Sequence, residues 1–125
     1  MKLFLIFALA SAVHAAPPES FFRALHIVET GGRRGAIIGD NGAALGPLQI
    51  HRIYHADARI GGDYAQCEDL DYSKRVVSAY LQRYAPEAWA KGDVETLARI
   101  HNGGPRGATK QATINYGRKV ARLCK

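Results

Sequence analysis

The sequence predicts an α+β domain that is mostly α-helical, with about five helices and one short β-hairpin. Three observations point there. Apolar residues recur at helical spacing in several segments, Ser or Asp stands ahead of those segments with Gly or Pro behind, and one glycine-rich stretch carries an Asn-Gly turn. The first helix is expected from about Phe21 to Thr30, capped by Ser20 after the stiff Pro17-Pro18 and stopped by Gly31-Gly32. Between Gly31 and Gly46, the Ala36-Ile37-Ile38 run followed by Asp40-Asn41-Gly42 reads as a small hairpin. Leu48, Ile50, Ile53 and Tyr54 then lead through a short strand or turn into a second helix that ends by Gly61-Gly62. Ser73 is expected to cap a third helix, where Val76, Val77, Tyr80, Leu81 and Tyr84 form a core face that ends before Pro86. Asp93 caps a fourth, with Val94, Leu97, Ala98 and His101 on one side and Asn102-Gly103-Gly104-Pro105 as its stop. A fifth covers about Ala112 to Leu123, with Ile114, Gly117, Val120, Ala121 and Cys124 at helical spacing.

The 125 residues are 47% hydrophobic and 22% charged, a globular composition that excludes disorder, collagen and disulfide-dense miniproteins. Positions 1–15 combine Lys2, an apolar run from Leu3 to Val13 and the small-residue site at Val13-His14-Ala15, the pattern of a cleaved signal peptide. Residues 16–125 are then expected as one exported domain, secreted or periplasmic. No later stretch approaches the ~20 apolar residues of a membrane helix, so no stable membrane insertion is expected. Losing Lys2 lowers the formal charge from +6 to +5. A basic exported domain implies an anionic partner such as an envelope polymer, a membrane surface or nucleic acid, and charge alone does not separate these. Only Cys67 and Cys124 are present, so the apolar core carries most of the stability. Export and the count of two predict one disulfide between them, closing a long loop and contributing about 4 kcal/mol by chain entropy.

Glu29 is the residue whose position is hardest to explain by packing. On a helix turning about 100° per residue, it falls on the side of Phe21, Leu25 and Val28. A carboxylate there is costly unless paired or protonated, and burial favours the proton that a general acid must hold. The plainer reading puts it at the edge of the stripe, paired with Arg33 or Arg34. Asp40 follows eleven residues later, across a glycine-rich excursion that can fold back towards Glu29. Two carboxyl groups in unequal environments are the equipment of glycoside hydrolysis, where one protonates the leaving oxygen and the other attacks or stabilises the sugar cation. The plainer reading of Asp40 is ordinary Asp-Asn-Gly turn chemistry.

The remaining candidates are read the same way. His26, His51, His55 and His101 are not spaced as a metal pair with an acidic third ligand, and neither a metal nor another cofactor is expected. By composition His101-Asn102-Gly103-Gly104-Pro105 is a helix stop, although its exposed amides and carbonyls also suit the N-acetyl and hydroxyl groups of a sugar. Tyr80 and Tyr84 read as core residues, with Tyr84 placed to reach a cleft edge.

Several strings together resemble one family. Glu29-Thr30-Gly31, Gly46-Pro47-Leu48-Gln49-Ile50, Tyr54, Asp57 and above all Ala98-Arg99-Ile100-His101-Asn102-Gly103-Gly104-Pro105-Arg106-Gly107 resemble the invertebrate-type, or destabilase-like, lysozymes. Ser73-Lys74-Arg75, Tyr80, Arg83-Tyr84-Ala85 and Ala112-Thr113-Ile114-Asn115-Tyr116 fit the same pattern, so the resemblance spans nearly all of residues 23–122. The His-Asn-Gly-Gly-Pro string is specific, whereas the glutamate and Gly-x-x-Gln-Ile pieces are shared with goose-type lysozymes and lytic transglycosylases.

The resemblance implies a small lysozyme-like fold that cleaves the β-1,4 bond between N-acetylmuramic acid and N-acetylglucosamine in peptidoglycan. It implies Glu29 as proton donor and Asp40 as second carboxylate and presumed nucleophile, with Tyr54, His101, Asn102 and Gly103 lining the sugar cleft. Tyr84 joins them as a substrate-binding candidate. The expected partner is a peptidoglycan glycan strand, met by a monomer, with no nucleic acid involved. The chain departs from those relatives in lacking almost all of their cysteines and in a loop from Glu29 to Gly46 about one residue shorter. Two other functions fit the same residues: a lytic transglycosylase-like enzyme using Glu29 alone, and a non-catalytic basic antimicrobial protein that binds envelope polymers.

Overall fold

A computed structural model describes residues 16–125, and the expected signal peptide at 1–15 lies outside them. Helix α1 (Glu19–Thr30) starts two residues ahead of expectation, because Pro18 rather than Ser20 takes the cap and its carbonyl accepts from the Phe21 amide at 2.9 Å. It ends as expected: Gly31 turns left-handed at φ 64°, and the Gly31 and Gly32 amides close on the carbonyls of Ile27 and His26.

The glycine-rich segment forms a three-stranded antiparallel meander rather than a single hairpin, with β1 (Ile38–Gly39), β2 (Ala44–Leu45) and β3 (Ile50–His51) in sequence order. Ile38 pairs with Leu45, which pairs in turn with Ile50. The third strand forms because Gly46 bends the chain back directly after β2. A Cβ on Gly46 would strike the Cys67 carbonyl oxygen, and its φ of 83° also favours glycine. Gln49 holds the inside of this bend, donating from Nε2 to the carbonyls of Gly46 at 2.9 Å and Ile37 at 3.1 Å.

Helix α2 (Arg52–Ala58) follows directly, and a 3₁₀ turn (Tyr64–Glu68) leads to the central helix α3 (Leu70–Tyr84). The cap of α3 is Asp69, whose Oδ2 accepts from the Tyr72 amide at 2.8 Å. Ser73, expected in that role, lies inside the helix and donates its buried hydroxyl to the Cys67 carbonyl at 2.8 Å. Val76, Val77, Tyr80 and Leu81 fill the core as their spacing predicts. Pro86 ends α3 but also opens a further short helix, α4 (Pro86–Lys91), because a proline at the first helical position loses no hydrogen bond. Asp93 caps α5 (Val94–Gly103), and α6 (Ile114–Leu123) completes six α-helices among the described residues where about five were expected. Helices α5 and α6 approach closely at Gly117, where a Cβ would sit 3.1 Å from the Glu95 carbonyl oxygen and 2.6 Å from Arg99 Cγ.

The expected disulfide is absent: Cys67 and Cys124 are both free thiols. Each is seated in a different place. Cys67 is fully buried in the turn before α3, beneath Gly46, and burial pushes its thiol up to about 11, so it stays neutral. Cys124 lies half-buried at the end of α6, its Sγ 3.7 Å from the Ser20 carbonyl at the start of α1. No helix among the described residues is long and apolar enough to cross a membrane.

Candidate active site

Helix α1 delivers Glu29 in its last turn, and Thr30 beside it is buried, with its hydroxyl donating to the Pro47 carbonyl at 2.9 Å. That bond ties the end of α1 to the segment entering β3. The Glu29 side chain keeps 18% of its surface. Tyr116, in the first turn of α6, donates its phenol to Glu29 Oε1 at 2.6 Å, and His101 in the last turn of α5 places Nε2 3.6 Å from the same oxygen. Three helices that are remote in sequence therefore meet on one carboxyl group. Neither Arg33 nor Arg34 pairs with it; Arg33 Nε donates to the Thr30 carbonyl at 3.0 Å instead.

Behind Glu29 runs an aromatic ladder. Tyr54 and His101 are each 8% exposed, and the Tyr54 hydroxyl meets His101 Nδ1 at 2.9 Å. With Tyr54 donating there, the ring proton of His101 sits on Nε2, facing Glu29. Tyr54 stacks on Tyr80 with ring centres 3.6 Å apart and planes 12° from parallel, and Tyr80 meets half-buried Tyr84 at 4.7 Å. Burial holds both the Tyr54 and Tyr116 phenols well above the ordinary tyrosine range. The negative charge of Glu29 adds to this, and for Tyr116 so does its hydrogen bond to that carboxylate. Both tyrosines therefore remain hydrogen-bond donors at neutral pH.

Asp40 occupies the turn between β1 and β2, in a left-handed conformation at φ 49° that its neighbour Asn41 shares at 55°. Its side chain is 68% exposed and bonds one partner among the described residues, His51 Nε2 on β3 at 2.8 Å. Asn102 is exposed and Gly103 half-buried at the end of α5. The chain beyond them is held by Arg99, which donates to Thr113 Oγ1 at 3.0 Å and the Lys110 carbonyl at 2.9 Å.

The structure thus gathers Glu29, Tyr54 and His101 in one place, with Tyr54 hydrogen-bonded to His101 and His101 Nε2 3.6 Å from Glu29; it puts Tyr84 at the far end of the aromatic ladder and Asp40 in a separate turn, bonded to His51 on β3. Two contacting residues escaped the sequence reading as site residues. Tyr116 lies in one of the resembling strings and precedes the buried Val120 by four residues on α6, which is the available sign that it faces inward. His51 gives no sign without the strand register, because its partner is eleven residues away across two turns.

No family model matches the chain. It is 34% identical over 99 residues to a lysozyme of Meretrix lusoria, covering 77% of this chain and 81% of that one. It is 32% identical over 93 residues to an invertebrate-type lysozyme of Ruditapes philippinarum, covering 71% and 68%. The match to lysozyme 1 of Crassostrea virginica is 42% over 82 residues but covers 45% of that protein, so the chain spans about half the length of the oyster relatives it matches. Among solved structures, Tapes japonica lysozyme superposes with a TM-score of 0.71 at 29% identity, covering 85% of this chain and 92% of that one. The Meretrix lusoria lysozyme solved in complex with PliI of Aeromonas hydrophila gives 0.71 at 27% identity, covering 85% and 89%. With the fold shared and more than two thirds of both the Meretrix lusoria and Ruditapes philippinarum proteins matched at over 30% identity, the chain belongs to the invertebrate-type lysozymes.

Proposed function

We propose that the chain is a peptidoglycan hydrolase, cleaving the β-1,4 bond between N-acetylmuramic acid and N-acetylglucosamine with Glu29 as proton donor and Asp40 as second carboxylate. One observation carries the reading: the hydrogen bond and the ion-pair contact that Glu29 receives from side chains among the described residues both fall on Oε1, which leaves Oε2 for the glycosidic oxygen. The protonated Oε2 hands its proton to the leaving oxygen as the C1–O bond breaks, and Asp40 attacks C1. Water then enters, Glu29 takes its proton, and the sugar leaves with its anomeric configuration retained.

In this reading Tyr54 and His101 act through Glu29, since their burial leaves little surface for a sugar. Exposed Asn102 and half-buried Gly103 offer amide and carbonyl groups to an N-acetyl substituent, and Tyr84 offers an aromatic edge. The substrate is a glycan strand met by a single copy of the chain outside the producing cell, where the segment 1–15 directs it.

Glu29→Gln keeps the shape and an acceptor for Tyr116 but removes the transferable proton. Clearing of purified peptidoglycan should fall by ~10²–10⁴ or more, with Asp40→Asn losing activity alongside it. A Glu29→Gln protein that keeps more than half of the wild-type rate overturns the assignment. The contrast between a braced Glu29 and a 68% exposed Asp40 favours a second reading, in which Glu29 works alone and the muramic 6-hydroxyl closes an anhydro ring. Mass spectrometry of the muropeptides separates the two by the anhydro end group.

A further inference from the structure

We infer that His51 is the positioning residue for the second carboxylate, holding Asp40 in the orientation from which it attacks; this rests on the assignment of Asp40 given above. The turn of Asp40 is built at a cost. Asp40 and Asn41 are consecutive non-glycine residues in the left-handed region, at φ 49° and 55°, a conformation that persists only where the surroundings compensate. A carboxylate 68% exposed on such a turn has many orientations open to it, and one of them must be selected before it can act on a sugar carbon.

His51 makes that selection. The pairing of β2 with β3 sets it opposite Ala44, and from there Nε2 reaches Asp40 Oδ2 at 2.8 Å. The contact is to one oxygen only, so Oδ1 stays free to attack C1. His51 donates from Nε2 whether it is neutral in that tautomer or charged, so the orientation it imposes does not depend on its charge. Among the described residues Asp40 is the one acidic group at ion-pair distance from His51. The neighbouring Arg52 is turned away, its guanidinium lying 4.5 Å from the centre of the Tyr64 ring, and the Tyr64 hydroxyl donates to the Ile50 carbonyl. His51 transfers no proton in the reaction. As water displaces the sugar from Asp40, the electron pair of the C1–Oδ1 bond returns to a carboxylate that His51 already binds at Oδ2.

The experiment is a double-mutant cycle in the mature protein, measuring kcat and KM on soluble peptidoglycan strands for His51→Ala, His51→Gln, Asp40→Asn and the His51→Ala/Asp40→Asn pair. Thermal melts confirm that each variant folds. His51→Ala should lower kcat by ~10-fold or more with KM within about twofold. His51→Gln, which can still donate, should recover part of the loss. In the Asp40→Asn background His51→Ala should cost nothing further. A His51→Ala kcat equal to wild type while Asp40→Asn is inactive overturns this proposal alone. So does an effect of His51→Ala that is undiminished without Asp40. An active Asp40→Asn protein instead overturns the assignment of Asp40 itself, and this proposal with it.

Discussion

Replacing Tyr116 by Phe tests the brace on Glu29 with one atom. The phenol is the one group at hydrogen-bond distance from that carboxyl among the described residues, 2.6 Å from Oε1, and Phe keeps the ring. A hydrogen bond to a charged acceptor contributes about 1.5–3 kcal/mol. At about 1.4 kcal/mol per tenfold, that corresponds to a roughly 10–100-fold loss in the fraction of molecules holding the carboxyl in place. His101 Nε2, at 3.6 Å, is too distant to take over without moving. We therefore expect kcat on peptidoglycan strands to fall within that range while KM stays within about twofold. The same lost bond lowers stability, at roughly 5 °C of Tm per kcal/mol for a chain of this length. A Tyr116→Phe enzyme whose kcat lies within twofold of wild type refutes the positioning argument, and a lowered Tm alone would leave Tyr116 a packing residue.

Three further outcomes follow from the buried turn beneath β2. Burial raises the Cys67 thiol from 9.0 to about 11, so its contribution to stability is complete below pH 9 and is lost as pH rises towards 11. Wild type should then lose more stability over that interval than Cys67→Ala, which shares the raised Tyr54 and Tyr116 phenols; parallel melting curves would show the reasoning wrong. Alkylation of the denatured, unreduced chain should label both cysteines, and labelling of neither would restore the bridge expected from the sequence. Gly46→Ala combines a φ of 83° with a collision against the Cys67 carbonyl, so urea unfolding should show a loss of about 3 kcal/mol or more, and a loss under 1 kcal/mol would mean the turn relaxes.

The helices were legible because their signals are local. The spacing of Val76, Val77, Tyr80 and Leu81 decides a buried face whatever else the chain does, and Asp93 caps where it stands. Errors came where two local signals competed. Ser73 and Asp69 both suit a cap; the Asp69 carboxylate takes it because Leu70 and Ser73 are both wanted in the core, where Ser73 binds the Cys67 carbonyl. Pro86 ends one helix and starts another, and periodicity alone sees only the ending. Glu29 was visible as a carboxyl on an apolar stripe, but its partners were not. Tyr116 and His101 reach it from α6 and α5 through tertiary packing, which no spacing along the chain encodes. The disulfide failed for the same reason, since two cysteines and an oxidising compartment permit a bridge without bringing the thiols together.

The segment between Glu29 and β3 contains no cysteine, which raises the question of what fixes it. The structure answers with polar contacts distributed along that segment. Thr30 binds the Pro47 carbonyl, the Gly46 amide donates to the Ile37 carbonyl at 2.7 Å, Gln49 spans Gly46 and Ile37, and His51 holds Asp40. A Cβ on Gly39 would collide with Gln49 Oε1, so the glutamine also fills the space that glycine leaves. Each such bond contributes only about 1 kcal/mol net, but leaving a buried member unpaired costs up to about 3 kcal/mol, so the set resists loosening one bond at a time. A disulfide fixes two points and leaves the chain between them free. This network instead fixes the backbone at Ile37, Gly46 and Pro47 and the side chain of Asp40. The anchored points lie on both sides of Asp40, at Ile37 before it and at Gly46 and Pro47 after it, so the turn that carries this carboxyl is held at both of its ends.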